Sequence, residues 1–139
     1  MEFTKEQAAA SLDRAKRHFA ADEMLIKGTY GRSNGSFKGC SVGCELHDFF
    51  PEVDDIGNLG NVHRLLSDKT GIPEWLLRLR DTMFENLPDG DNRVWHVQIA
   101  QALHDAHPVD FNALLHRVHV AILRVARRTA GTSKTAVGS

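Results

Sequence analysis

Among the 139 residues there are only two cysteines, four prolines and one tyrosine, and neither sign of charge is in clear excess. Each scarcity removes a class of protein. Two cysteines, Cys40 and Cys44, cannot supply the distributed disulfide framework by which small secreted domains make up for a thin core. The expectation is a reducing, cytoplasmic setting. Seventeen Lys and Arg against eighteen Asp and Glu leave a formal net charge of −1. No global attraction to nucleic acid or an anionic membrane follows from that balance, though a local basic patch remains compatible with it. Apolar runs fall short of the ~18–20 residues that cross a bilayer. The opening MEFTKEQAAASLDRAKRHF is charged throughout and lacks the basic-then-apolar pattern of a signal peptide.

Hydrophobic residues at 42% and charged ones at 25% are ordinary for a soluble globular chain, and the length fits one domain of roughly 100–200 residues. Thr4 and Gln7 have the spacing of a capping box. They predict a helix to about Lys27, with Leu12, Ala15, Phe19 and Ile26 on one stripe and Gly28 as its stop. Asp22 falls on that stripe, either at its wet margin or, with Glu23, presenting carboxylates to a site. Asp22 and Glu23 are the candidate binding residues.

From Gly28 to Gly39 the helical period is lost. Asn34-Gly35 suits a type I′ turn, which predicts a small β-hairpin near residues 29–38 with Tyr30 and Phe37 on its arms. The spacing is not that of a phosphate loop, because Lys38 is followed by Gly39 rather than Ser or Thr. Helices are expected over Ser41–Asp48, after Asn61, from Pro73 through Trp75, Leu76, Leu79, Met83 and Leu87, over Val94–His104, and after Asp110. The last carries a broad apolar face of Phe111, Leu114, Leu115, Val118, Ile122 and Val125, suited to central packing or a second subunit. The predicted fold is mainly α: one multi-helix domain over 1–130 with a small hairpin, then a disordered tail over 131–139.

If residues 40–48 are helical, Cys40, Cys44 and His47 share one face. Three ligands of this kind can hold zinc with a fourth partner, for which His63, Asp48, Asp54 and Asp55 are available. An iron–sulfur reading fails on ligand number and chain length. A second reading makes Cys40 or Cys44 a nucleophile at a helix N-terminus, with His47 as base and Asp22 or Glu23 facing the substrate. A third treats both as small buried hydrophobes, with Gly39 and Gly43 admitting a close backbone. A Cys40–Cys44 disulfide fits poorly within a regular helix. His104 and His107, and His116 and His119, are three apart, but no His-Glu-x-x-His motif exists to give them protease chemistry. Trp75 and Trp95 read as core.

Three stretches, ADEMLIKGTYG, FKGCSVGCELHD and GIPEWLLRLRDTMFENLPDG, carry a resemblance to a group of short uncharacterised proteins of bacteria and their phages. The shared elements are Asp22 and Glu23 before a Gly-Thr-Tyr segment, a Gly-Cys-x-x-Gly-Cys element at Gly39, Cys40, Gly43 and Cys44, and Gly71, Ile72 and Pro73 ahead of a helix. The resemblance spans about residues 20 to 90 and implies no activity. FFPEVDDIGNLGNVHRLL is longer here than in that group. The resulting expectation is a small accessory protein with a zinc site at Cys40, Cys44 and His47. Its alternatives are a thiol enzyme and an interaction module that meets a protein partner or a second copy of itself.

Overall fold

The computed structural model describes residues 3–21 and 24–138, with side chains except at Asn34 and from Gly131 onward. Asp22 and Glu23 lie outside the described residues. The chain divides into two units, Met1–Pro108 and Val109–Ser139. The first holds α1 (Lys5–Ala20), β1 (Arg32–Asn34), β2 (Ser36–Lys38), α2 (Ser41–Phe49), a short 3₁₀ turn (Ile56–Leu59), α3 (Val62–Thr70), α4 (Glu74–Asn86) and α5 (Asp91–Asp105). The second holds α6 (Phe111–Gly138), whose helical backbone includes residues 131–138, read from sequence as a tail. Six α-helices and one two-stranded antiparallel hairpin are thus present among the described residues. None of the described helices is long and apolar enough to cross a membrane.

Local chemistry explains most boundaries. Thr4 Oγ1 accepts from the Gln7 N–H at 3.1 Å while Gln7 Oε1 accepts from the Thr4 N–H at 2.7 Å, so both halves of the capping box form. Asn61 caps α3 through the Arg64 N–H, and Asp110 caps α6 through the Ala113 N–H. Pro73 precedes α4, where its missing donor costs nothing.

The first helix is shorter than its sequence period predicts. It ends at Ala20 rather than near Lys27, because the chain beyond pairs with the end of the hairpin. Gly39 N–H donates to the Met24 carbonyl at 2.9 Å, and Ile26 N–H donates to the Gly39 carbonyl at 2.8 Å. Ladder bonds of this kind replace the helical ones, and Leu25 is buried instead of continuing a helical stripe. Phe19, assigned to the apolar stripe, is 50% exposed.

Within the first unit, α1 packs on α5, α4 on α5, and α2 against α1, α3 and α4. Val42, Leu46, Ile56, Leu66, Ile72, Leu77 and Phe84 are almost wholly withdrawn from water. Each contributes on the order of 1.5–3 kcal/mol of transfer free energy. The short helix α2 lies amid these elements, with Ser41 through Leu46 all buried. The chemistry of the first six residues of α2 therefore takes place inside the protein, while His47, Asp48 and Phe49 are only partly buried.

Candidate functional site

The Gly-Cys-x-x-Gly-Cys element is a place where two backbones touch. A Cβ on Gly43 would lie 1.4 Å from the Tyr30 carbonyl oxygen, and one on Gly39 would lie 2.4 Å from the same oxygen. The loop of residues 28–31 rests on α2 only because both positions lack a side chain. It is pinned there by the Cys40 N–H to the Thr29 carbonyl and by the Ile56 N–H to the Gly31 carbonyl, each 3.0 Å. Glu85 on α4 clamps the start of the loop, accepting from the Gly28 N–H at 3.0 and 3.2 Å.

This packing directs the two thiols into separate surroundings. Both cysteines are free and buried. Cys44 Sγ donates to the Gly39 carbonyl at 3.3 Å and faces that of Met24 at 3.6 Å. Burial pushes its thiol up to about 12. Cys40 precedes the first turn of α2; burial, reinforced by the Asp81 carboxylate, raises its thiol far above the usual range against the opposing pull of the Gly43 N–H. Both are therefore held as thiols at neutral pH, the opposite of the depressed value that marks a nucleophilic cysteine. His47 stacks on Phe37, with ring centroids 3.9 Å apart and planes at 10°. Cys40, Cys44 and His47 are not brought together, and among the described residues no group of three or more His, Cys, Asp or Glu is arranged to hold a metal ion. Three of the four proposed fourth ligands are engaged elsewhere. Asp55 caps Gly57 and meets Arg32, Asp48 meets His18, and His63 meets Asp81.

Facing polar stripes on α1 and α2 form two buried networks. In the first, Glu45 accepts from Ser11 at 3.2 Å, from Arg14 at 2.7 Å and from Arg80 of α4 at 2.9 Å. Burial alone would raise this carboxyl, but the guanidiniums of Arg80 and Arg14 outweigh it and hold it at about 2. The second network is a chain: Ser41 Oγ to His96 Nδ1 at 2.6 Å, His96 Nε2 to His18 Nδ1 at 3.0 Å, and His18 Nε2 to Asp48 Oδ2 at 2.6 Å. Each link can be made with one donor and one acceptor, running from the Ser41 hydroxyl to the Asp48 carboxylate. The arrangement resembles a hydrolytic relay, yet Ser41 is fully buried and no substrate reaches its oxygen.

Both networks weaken in acid. Burial, with Arg80 and His18 adding to it, lowers His96 well below 6.5. As pH falls through about 6.5, the unfolded chain takes up a proton that the folded one refuses, so stability declines by up to ~1.4 kcal/mol per pH unit. Glu45 gives a second loss of the same sign between 4.5 and about 2, worth on the order of 3 kcal/mol in all. Urea unfolding midpoints measured from pH 7.5 to pH 4 should fall throughout, and His96→Gln should flatten the part between pH 6.5 and 5.

A cavity of ≈ 310 Å³ opens between the 28–30 loop and α4, lined by Gly28, Thr29, Tyr30, Cys40, Asp81 and Glu85. At its inner end Asp81 is 9% exposed. Its Oδ2 meets His63 Nε2 at 3.1 Å, whereas its Oδ1 is buried with no N–H or O–H donor. The neighbouring Cys40 S–H hydrogen-bonds this carboxylate, but a thiol is a weak donor. At the mouth stands Tyr30, 37% exposed, its ring edge-on to His63 with centroids 5.8 Å apart. Burial and then Asp81 raise its phenol, so the cavity contributes a neutral hydroxyl and two carboxyl groups.

Sequence reasoning named Cys40 and His63 but missed Asp81, Glu85 and Tyr30 as a group. The legible signal was Asp81 followed by Glu85 one turn later on α4. The first pair of histidines turn to separate partners: His104 meets Asp105, and His107 meets the Phe3 carbonyl. The Trp95 indole donates to the Arg80 carbonyl at 3.1 Å, giving that ring a structural task. No protein-family model, curated protein or solved structure matches this chain.

Proposed function

We propose that this is a small-ligand-binding protein whose cavity between the 28–30 loop and α4 takes a compact organic cation, a primary ammonium or guanidinium group. The observation that carries the reading is Asp81 Oδ1, a buried carboxylate oxygen with no N–H or O–H donor, served by nothing stronger than the Cys40 thiol in the lining of an open cavity. Leaving such an atom unpaired costs on the order of 1–3 kcal/mol or more, and an N–H of a cationic ligand would recover that cost in a charge-assisted bond. Glu85 adds a second negative charge, and Tyr30 offers an aromatic surface to a cation at the mouth. The volume lies near the lower end of the roughly 300–1,000 Å³ usual for ligand sites, which suits a head group rather than a large molecule.

Zinc held by Cys40, Cys44 and His47 is disfavoured by the same geometry, since Cys44 already donates to a carbonyl and His47 is stacked on an aromatic ring. A thiol enzyme is disfavoured by the raised thiols.

Calorimetric titration with n-butylammonium and methylguanidinium chlorides provides the test, with sodium acetate as the anionic control. The cations should bind and acetate should not. Asp81→Asn, which keeps the shape and removes the charge, should weaken binding by roughly ten- to a hundredfold with little change in unfolding midpoint. Equal affinity in wild type and variant would refute the reading, as would binding of acetate in place of the cations.

A further inference from the structure

We propose that α6 is an interfacial helix that lies on an anionic lipid bilayer. Its sequence separates charge from the rest of the chain. All eighteen Asp and Glu lie at or before Asp110, whereas Arg117, Arg124, Arg127 and Arg128 follow it with no carboxylate among them. At 3.6 residues per turn, Phe111, Leu115, Val118, Ile122 and Val125 recur every four and three residues and form one stripe with Leu114 beside it, while the arginines fall on the other side in company with Val120 and Leu123. The C-terminal part of the stripe is open to water, with Ile122 55% and Val125 53% exposed, whereas Phe111, Leu114, Leu115 and Val118 are half-buried.

A basic helix with an apolar stripe fits an anionic membrane surface better than the other partners of either half. Nucleic acid would take the arginines and leave the stripe in water. A second α6 would cover the stripe but offer no carboxylate to the arginines, since flanking ion pairs between helices need both signs. A bilayer of anionic lipid meets both halves. Acyl chains receive the stripe, and headgroup phosphates receive the guanidiniums, whose planar fork matches two phosphate oxygens. The proposal concerns a helix lying in the interface plane, consistent with no described helix spanning a membrane.

The experiment is co-sedimentation of the full chain with vesicles of phosphatidylcholine alone or mixed with phosphatidylglycerol, at 0.1 and 0.5 M salt. Binding is expected with the mixed vesicles only, and it should weaken at high salt. Each arginine near the surface is worth roughly fivefold in partitioning, so Arg117→Gln with Arg124→Gln should reduce it by more than about tenfold. Ile122→Asp should abolish it, with far-UV dichroism and unfolding midpoint showing the first unit intact. Equal binding to phosphatidylcholine alone would overturn the proposal, as would indifference to all three substitutions. So would a chain that ignores vesicles but either forms an Ile122-dependent dimer or shifts duplex DNA.

Discussion

Gly43→Ala is expected to destabilise the protein by more than about 4 kcal/mol, enough to leave many domains largely unfolded. The sign is what makes the prediction sharp. In an exposed helix interior, replacing glycine with alanine gains ~1 kcal/mol through propensity, and Gly43 lies within α2. Its added methyl would sit 1.4 Å from the Tyr30 carbonyl oxygen and 2.5 Å from the carbonyl carbon, both backbone atoms. No side-chain rotation relieves such an overlap, so the 28–31 loop would have to lift from α2. Its ties to Cys40 and Ile56 would then break, and the wall of the cavity would go with them. Urea unfolding monitored by tryptophan fluorescence measures the effect. A midpoint at or above that of wild type would show that the loop does not rest on α2 as described.

Glu45→Gln should cost about 3–5 kcal/mol, the penalty for removing one member of a buried charge cluster. Arg14 and Arg80 retain only 12% and 4% side-chain exposure, so neither guanidinium can turn to water. Glutamine keeps the volume and one carbonyl acceptor but cannot neutralise two cations. Arg80 Nε already has no partner, which leaves this residue especially dependent on Glu45. Replacing all three charged groups with apolar residues of similar size should recover much of the loss, because the charges oppose desolvation as well as one another. Chemical denaturation of the single and triple variants distinguishes loss of charge balance from loss of packing.

These two residues also show what could be read beforehand. Caps and periodicity placed the helices well, since Thr4, Gln7, Asn61 and Asp110 act through neighbours three residues away or fewer. The end of α1 was hidden because pairing of Met24 and Ile26 with Gly39 depends on partners distant in sequence. In the Gly-Cys-x-x-Gly-Cys element the conspicuous atoms were sulfur, but the determining feature was the pair of glycines four apart. Periodicity gave Cys40, Cys44 and His47 a common face without saying that the face would be filled by a backbone and an aromatic ring. Ser11, Arg14 and His18 on α1, and Ser41, Glu45 and Asp48 on α2, carry matching polar spacings. Polar residues running beside an apolar stripe were the available sign of the buried networks. Asp81 is joined to His63 and Cys40 only by the packing of α2, α3 and α4, and no local pattern encodes that meeting.

The proposal of a cation site at the Asp81 carboxylate, rather than ligand chemistry at the two thiols, makes a residue-level prediction. The most direct measurement is an amide ¹H–¹⁵N correlation spectrum recorded during titration with methylguanidinium chloride. Saturable shifts are expected at Gly28, Thr29, Tyr30, Asp81 and Glu85, with little change at His47 and none of these shifts in Asp81→Asn. Shifts centred on Cys44 and His47, or the same shifts persisting in Asp81→Asn, would contradict the account.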